Sequence, residues 1–443
     1  MKVTFIYPAV GKKPGERYIK TWTMEPLPIA TLKALTPKDW ETEFFDDRLE
    51  LINYDTDTDL VAINVEAYTA KRAYHIASRF CERGIPVILG GSHPTLLPEE
   101  AEQYADAVLV GNAEPVWTNI LEDCWRNALK KRYQGSPIYT VLPDRSIFKG
   151  KQYLPLGLVE TGRGCSFHCE FCAVSAYYDA HYVPRPIPDV VEDIKRSGKQ
   201  FFFLVDDNIA ADLTYLKQLC KELEPLNIFW ASQATLTIAK DEKLLQSLVN
   251  SGCRVLLIGF ESLEQKNLQQ MQKEWMAKVG DRDELVQRIH KAGVSIYATF
   301  VFGFDHDTPS SFEEALAFSQ RHGFFFAAFN HLLPFPGTAL YTRFQQKKRL
   351  LVNTWWLEPG YHYGDVVFHP QNMGPQELSE RCAATRRAFF SLSSILQRGG
   401  QLLRRHPPLR LFAAYWLQNL KLRREVDGKL GLPIGEGLDE LPK

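Results

Sequence analysis

Three cysteines lie close together in the segment ETGRGCSFHCEFCAVSAYY, residues 160–178. Cys165, Cys169 and Cys172 have the spacing C-x3-C-x2-C, which is typical of metal-binding thiolates. Structural zinc takes four ligands, and His168 and His181 are the residues that would complete such a set. Iron–sulfur clusters are also held by thiolates, normally four. Three thiolates would therefore leave one iron open to a substrate or cosubstrate.

Composition limits the classes of protein to which the chain belongs. It has 443 residues, 45% of them hydrophobic, and a formal net charge of −1, so nucleic acid is not an expected partner. The sequence contains no apolar run long enough to span a membrane, and its first residues do not resemble a signal peptide. The other five cysteines stand singly, which argues against disulfides and predicts a cytoplasmic protein.

Alternating strands and helices predict an α/β fold in two parts. The first, residues 1–135, contains five apolar strands separated by helices, which is typical of a doubly wound, flavodoxin-like domain. After a linker over 136–155, six further strand–helix units over 156–345 predict a partial (β/α)6 barrel. Residues 346–443 read as a mostly helical C-terminal region. The three cysteines follow the first barrel strand, at the face where such folds carry their chemistry.

This cysteine motif on the first loop of a partial barrel resembles the radical SAM superfamily. The resemblance implies a [4Fe-4S] cluster on Cys165, Cys169 and Cys172 whose open iron binds S-adenosylmethionine. One electron then cleaves the cosubstrate to a 5′-deoxyadenosyl radical. The resemblance also implies five cosubstrate-binding residues, although helix N-capping is an alternative role for the acids among them. They are Phe171 beside the adenine, Asp206 and Asp207 after strand two, Gln233 after strand three and Glu261 after strand four.

The N-terminal part resembles the domain of the cobalamin-dependent branch of that superfamily. The segments VILGGSHPTLLPEEA and AVLVGNAEPVW carry this resemblance, and glycines there would let the backbone approach a nucleotide tail. The implied cobalamin-binding residues are Glu66, Tyr68, Thr69, Gly90, Gly91, Ser92, Gly111 and Glu114.

The cobalt-ligating motif Asp-x-His-x-x-Gly is absent from the sequence. If a histidine ligates cobalt, two others are the candidates. His75 has the spacing of a packed helix residue, and His93 lies on the expected loop. The alternative for the whole domain is a scaffold that has lost its ligand.

Three functions remain open at this point. The first is C-methylation of an unactivated carbon in a lipid-like or other biosynthetic intermediate. The second is a radical rearrangement or cyclisation without methyl transfer, of the ring-contraction or tetrapyrrole-cyclase type. The third is a non-catalytic iron–sulfur sensing protein. The catalytic alternatives imply a small-molecule or lipid substrate and an electron donor such as flavodoxin or ferredoxin.

A strongly basic segment lies near the C-terminus. Residues 381–424 contain ten Lys or Arg and neither Asp nor Glu. Basic and apolar residues at helical spacing predict a helix packed on the barrel, contact with an anionic membrane surface, or an acidic partner. The membrane alternative would place the protein peripherally on the inner face of the membrane.

Overall fold

The computed structural model describes residues 1–139 and 141–439. Its N-terminal sheet has six parallel strands in the order β2-β1-β3-β4-β5-β6. They are β1 (Lys2–Tyr7), β2 (Glu41–Asp46), β3 (Leu60–Asn64), β4 (Val87–Gly90), β5 (Ala107–Val110) and β6 (Arg132–Gln134). The first five have the flavodoxin-like order that the sequence predicts. The sixth was not predicted, because it has only three residues and two of them are exposed.

Helices cover both faces of this sheet, which explains why its strands are apolar on both sides. One core cluster contains Phe5, Ala62 and Trp117, and a second contains Ile63 and Leu89. The helices are α1 (Leu27–Leu35), α2 (Ala70–Cys81), α3 (Ser92–Leu96), α4 (Pro98–Ala101) and α5 (Trp117–Trp125).

The second sheet is the predicted partial barrel. Its six parallel strands follow chain order around the sheet, and a small antiparallel hairpin, β8 (Gly162–Gly164) with β9 (Tyr182–Pro184), lies beside it. The barrel strands are β7 (Gly157–Val159), β10 (Phe201–Leu204), β11 (Phe229–Ala234), β12 (Cys253–Glu261), β13 (Ser295–Phe302) and β14 (Phe326–His331).

Helices connect the barrel strands and bury one apolar cluster against them. The short helix α6 (Ala173–Tyr178) follows the cysteine loop directly. The others are α7 (Ile187–Ser197), α8 (Leu213–Leu223), α9 (Glu242–Asn250), α10 (Gln265–Gln270), α11 (Glu274–Ala277), α12 (Arg282–Ala292), α13 (Pro309–Arg321) and α14 (Ala339–Gln346).

The C-terminal region is mostly helical, as predicted. It contains α15 (Pro375–Phe389), α16 (Leu392–Leu403), α17 (Leu409–Lys429) and a short strand pair, β15 (His362–Tyr363) with β16 (Leu432–Pro433). The chain then returns to the N-terminal domain, where Gly435 N donates to Val10 O at 2.7 Å and Arg72 pairs with Asp439 at 2.7 Å. Across residues 1–139 and 141–439, every helix is too short or too polar to cross a bilayer.

Candidate functional site

The cysteine loop is anchored to the barrel at its midpoint. Glu170 is buried, and its carboxylate pairs with the guanidinium of Arg343 on α14. Its backbone N donates to Met271 O at 3.2 Å, and its carbonyl accepts from Leu340 N at 3.0 Å. Three contacts from one residue therefore hold the loop between Cys169 and Cys172 in place.

The three thiols are half-buried and free. Burial raises the pKa of the Cys169 thiol to about 12, although the nearby ammonium of Lys273 opposes the shift. Burial also raises the pKa of Cys165, whose Sγ accepts from Asn208 Nδ2 at 3.9 Å. Thiolates in this environment need a cation to stabilise them, and the irons of a cluster supply that charge.

The zinc alternative receives no support from the two histidines that it requires. His168 and His181 are both exposed, and the imidazole Nδ1 of His181 lies 3.3 Å from Tyr178 O. In the described part of the chain, no three His, Cys, Asp or Glu side chains are grouped to hold a single metal ion.

The two acids after β10 have different surroundings. Asp206 is fully buried, and its carboxylate accepts from Thr161 N at 2.7 Å, Gly162 N at 3.2 Å and the Thr161 hydroxyl. Burial raises its pKa to about 7 against these donors. Asp206 therefore braces the strand-to-loop turn before the cysteines, and its assignment to the cosubstrate stays a prediction.

Asp207 is only half-buried and has fewer internal partners. Its Oδ2 accepts from Gly164 N at 2.9 Å, next to Cys165. Burial raises its pKa to about 6, and the negative charge of Glu160 adds to the shift. Of the two acids, Asp207 has the geometry that is compatible with a ligand beside the cysteines.

Glu261 ends β12 in an unusual conformation. Its φ of 58° lies in the left-handed region, which is uncommon for a residue other than glycine. Its Oε1 pairs with Lys273 Nζ at 2.8 Å, and the same ammonium donates to Gly259 O at 2.9 Å. Lys273 also lies 5.4 Å from the ring centroid of Trp275, which stacks on Phe167 of the cysteine loop. Trp275 therefore connects the buried ion pair of Glu261 and Lys273 to the cysteine loop.

Phe171 and Gln233 lie at the same end of the barrel. Phe171 packs against the barrel cluster and meets Phe304 edge-on at 6.1 Å. Gln233 lies on β11, and its Nε2 donates to Asp206 O at 3.2 Å. Both residues have protein partners that account for their positions.

A first cavity of about 450 Å³ lies between the C-terminal edge of the N-terminal sheet and α6. Apolar side chains of the sheet, α1 and α5 form part of its lining, among them Leu32, Ala62, Ile88, Leu109 and Trp117. Six of the eight residues assigned to cobalamin line it: Glu66, Gly90, Gly91, Ser92, Gly111 and Glu114.

The lining of this cavity fits a large ligand with a nucleotide tail. The apolar slot suits an aromatic base, and a Cβ on Gly91 would lie 2.6 Å from Val65 O, so only glycine fits this turn. Asn112 lines the cavity, and its buried Oδ1 has no hydrogen-bond partner within the described residues. This acceptor is therefore available to a water molecule or to a ligand in the cavity.

The cavity is closed on one side by an ion pair between the two domains. Arg163 pairs with Glu114 at 2.7 Å and with Glu160 at 2.9 Å, and all three residues line the cavity. The acid pair raises the pKa of the buried guanidinium above its usual value. Tyr177 and Tyr178 of α6 complete this wall, only a few residues after Cys172.

Neither histidine is placed as a cobalt ligand. His93 is buried against Trp356, and its Nε2 lies 3.0 Å from Glu100 Oε1. His75 is exposed, so the prediction that it packs in the core is wrong. Within the described chain, neither of these histidines is among the residues that line the first cavity.

A second cavity, of about 530 Å³, adjoins the first. The two share Leu27, Pro28, Glu66 and Glu160 in their linings. Tyr68 and Thr69 line this second cavity and not the first, and their assignment to cobalamin stays a prediction. Its wall is rich in aromatic side chains, namely Tyr7, Tyr18, Trp22, Tyr68 and Tyr363.

Sequence reasoning missed four residues that hold the site together. Glu170 and Asn208 lie within or next to motifs that the sequence had singled out, so their positions were a usable signal. Arg163 lies in the cysteine segment and Lys273 has no motif, and only the fold brings them to Glu114 and Glu261, the acids that they neutralise.

Comparison with known proteins agrees with the cysteine motif and the two-sheet fold. The profile of the Radical SAM superfamily matches residues 159–319. Bacteriochlorophyllide d C-12(1)-methyltransferase of Chlorobaculum tepidum is 30% identical over 389 residues, which cover 84% of each chain. Bacteriochlorophyllide d C-8(2)-methyltransferase of the same organism is 28% identical over 352 residues, 74% of this chain and 77% of that protein.

A solved structure shares the fold. The radical S-adenosylmethionine methyltransferase TsrM from Kitasatospora setae, with cobalamin and a [4Fe-4S] cluster bound, superposes with a TM-score of 0.63 at 15% identity. The match covers 78% of this chain and 75% of TsrM. On the cysteine motif, the two-sheet architecture and these relatives, the chain belongs to the family of cobalamin-dependent radical SAM methyltransferases.

Proposed function

We propose that the enzyme transfers a methyl group to an unactivated carbon of a large, ring-containing apolar substrate. The observation that carries the proposal is that two cavities share Glu66 and Glu160 in their linings, and that Arg163 and Ala173, which flank the cysteine loop in sequence, line the first. One cavity has the lining for a corrinoid, and the other is aromatic. Such a junction lets two bound molecules face each other.

In this proposal Cys165, Cys169 and Cys172 would hold a [4Fe-4S] cluster. The residues that would contact S-adenosylmethionine are Phe171, Asp207, Gln233 and Glu261. Glu66, Gly90, Gly91, Ser92, Gly111 and Glu114 would hold cobalamin. When bound, these groups supply a carbon-centred radical and a methyl donor. The chain's own residues orient the substrate and exclude water, and the aromatic wall of the second cavity is suited to both tasks.

The substrate class follows from the second cavity. Tyr68 contacts Trp355 and Tyr363 with ring centroids 5.4 and 5.7 Å apart, so its ring is fixed by its neighbours. Rigid aromatic walls favour flat conjugated rings or fused aliphatic rings. Because two relatives are bacteriochlorophyllide methyltransferases, a reduced tetrapyrrole is the first substrate to test.

The domain boundaries proposed are 1–135 for the cobalamin-binding domain, 136–155 for the linker, 156–345 for the barrel and 346–443 for the C-terminal region. Two observations support them. The strand β6 ends at Gln134 and β7 begins at Gly157, so the linker lies between the two sheets. The boundary after α14 separates the last barrel unit from the chain that returns to the N-terminal domain.

The partners proposed are a one-electron donor of the flavodoxin or ferredoxin type and the inner face of a membrane. Scattered free cysteines support a cytoplasmic setting. Residues 381–424 are the proposed membrane contact, since they are basic and partly apolar on the surface.

Two measurements test the proposed chemistry. Anaerobic reconstitution with hydroxocobalamin, followed by desalting, should leave about one corrinoid for each chain, as a single lined cavity requires. Incubation with bacteriochlorophyllide d and S-adenosylmethionine carrying a deuterated methyl group should then yield a product that contains the labelled methyl. A product without the label would indicate rearrangement instead. Failure to cleave S-adenosylmethionine with any tetrapyrrole tested would favour a sensing protein.

A further inference from the structure

The outer surface of the last two long helices is unexpectedly apolar. Six of the fourteen exposed large apolar side chains in the described chain lie between residues 392 and 420. They are Leu392, Leu396 and Leu403 on α16, and Leu409, Leu417 and Leu420 on α17. We call these six leucines the outer leucine surface.

Helical spacing places the leucines of each helix on one side. On α17, positions 409, 417 and 420 follow the i, i+8, i+11 pattern, with the small Ala413 between them. On α16, positions 392, 396 and 403 follow the i, i+4, i+11 pattern, which also places them on one side. Leu409 is 81% exposed and Leu417 is 69% exposed, so neither contributes to the packing of the monomer.

Both helices are held to the body of the protein by their opposite sides. Ile395 and Leu402 of α16 and Tyr415 of α17 form one buried cluster with Phe325 of the barrel. The outer leucine surface therefore faces away from the barrel on both helices. Packing does not explain an apolar surface there, and a typical surface helix would be polar on that side.

Five of the ten basic residues of 381–424 already have partners within the protein. Arg398 is fully buried and donates to Phe324 O, and burial lowers its pKa to about 10. Arg381 and Arg387 have acidic partners on the protein, and Arg386 and Arg405 donate to backbone carbonyls.

The remaining arginines accompany the leucines. Arg404, Arg410, Arg423 and Arg424 are exposed and Lys421 is half-buried. Among the described residues none of these five has an ion-pair partner, and Arg410 donates to the exposed amide oxygen of Gln200 at 3.3 Å. Arg410 and Arg424 lie on the same side of α17 as Leu417, by helical spacing. Acidic residues are absent from 381–424, so the segment itself carries a net positive charge. Exposed leucines between arginines match the interface of an anionic bilayer.

We propose that the outer leucine surface and its four arginines dock the enzyme on anionic phospholipid bilayers. This inference rests on the membrane contact proposed above and names its residues and lipid class, and it does not depend on methyl transfer. The same helix reaches the second cavity. Glu425 accepts from Thr21, and Lys429 lies 5.3 Å from the ring centroid of Trp22, a residue of the cavity wall. An apolar substrate dissolved in the bilayer would therefore be close to its site.

Liposome flotation of the full chain tests the proposal without any substrate or cofactor. The wild type should float with vesicles that contain phosphatidylglycerol and remain at the bottom with phosphatidylcholine alone. Replacing Leu409, Leu417 and Leu420 with Gln should reduce the bound fraction at least about tenfold, because three side chains lose their apolar contact. Replacing Arg410 and Arg424 with Gln should reduce binding about fivefold for each charge.

A matched control uses three leucines that are exposed elsewhere. Leu51, Leu213 and Leu351 are 39%, 45% and 44% exposed, and replacing them with Gln should leave flotation unchanged. Thermal denaturation verifies that each variant is folded. Binding that ignores lipid charge, or an equal loss in the control variant, would overturn the proposal. A wild type that fails to float and forms dimers broken by the α17 leucine variant would assign the surface to a second copy of this chain.

Discussion

At the scale of single residues, neighbouring acids in one motif have separate tasks. Asp206 has three donors from the turn before the cysteines, whereas Asp207 has one. Their sequence context is the same, so the sequence assigned both to the cosubstrate. Burial favours Asp207 as the cosubstrate contact, because the fully enclosed carboxylate of Asp206 already accepts three hydrogen bonds from the protein.

A pair of conservative substitutions separates these tasks. Asp206→Asn should lower the free energy of unfolding by about 1.5–3 kcal/mol, since an amide group replaces a charged acceptor of three hydrogen bonds. Asp207→Asn should lower it by about 1 kcal/mol or less and instead weaken binding of S-adenosylmethionine to the reconstituted protein. Urea denaturation and equilibrium dialysis measure the two effects. Equal stability losses in both variants would contradict this division.

At the scale of elements, the loops after β3, β4 and β5 shape the first cavity. Gly90 and Gly91 are adjacent and both line it, but their backbones differ. Gly91 has φ 112° and ψ −170°, a region that only glycine adopts readily. A Cβ on Gly90 would make ordinary contact with Leu109, 3.5 Å away. The same dipeptide therefore combines an essential glycine with a replaceable one.

Alanine substitution of the two glycines should show this contrast. Gly91→Ala should destabilise the protein by about 1–3 kcal/mol and lower the retention of hydroxocobalamin, because the turn must shift away from Val65. Gly90→Ala should stay within about 0.5 kcal/mol of wild type. Thermal denaturation and the corrinoid content after desalting provide the two readouts. A stable, corrinoid-retaining Gly91→Ala variant would show that this turn tolerates a side chain.

The elements were more predictable than the site that they form. Apolar strands alternating with helices predict both sheets, because a buried parallel strand must be apolar on both faces. The strand β6 has no such pattern and was missed. The cysteines were found because their spacing is a local signal. Lys273 could not be found, since its partner Glu261 is twelve residues away along the chain and on another element.

At the scale of the whole molecule, the site lies where two domains meet. The first cavity takes its lining from the N-terminal sheet and from the loop and helix around the cysteines. The C-terminal residues tie the ends of the chain together, since Asp439 reaches Arg72 and Lys71 pairs with Glu436 at 2.7 Å. The relative position of the domains therefore determines the shape of the cavity, and local sequence patterns do not encode it.

The interdomain ion pair should be the most sensitive element of this arrangement. Arg163 is 6% exposed and neutralises Glu114 and Glu160 from opposite domains. Arg163→Leu leaves both acids without their cation, so the free energy of unfolding should fall by about 3–5 kcal/mol. Because both acids line the first cavity, corrinoid retention should fall as well.

Arg132→Gln is the matched control, since Arg132 pairs with Glu99 and Glu102 on the surface of the N-terminal domain alone. Its loss should leave both stability and corrinoid retention close to the wild-type level, because solvent screens an exposed ion pair. Adding Glu114→Leu to Arg163→Leu should recover part of the lost stability, because an unpaired buried charge is removed. If the two single arginine variants behaved alike in thermal denaturation and corrinoid retention, the pair would be an incidental contact between domains positioned by other forces.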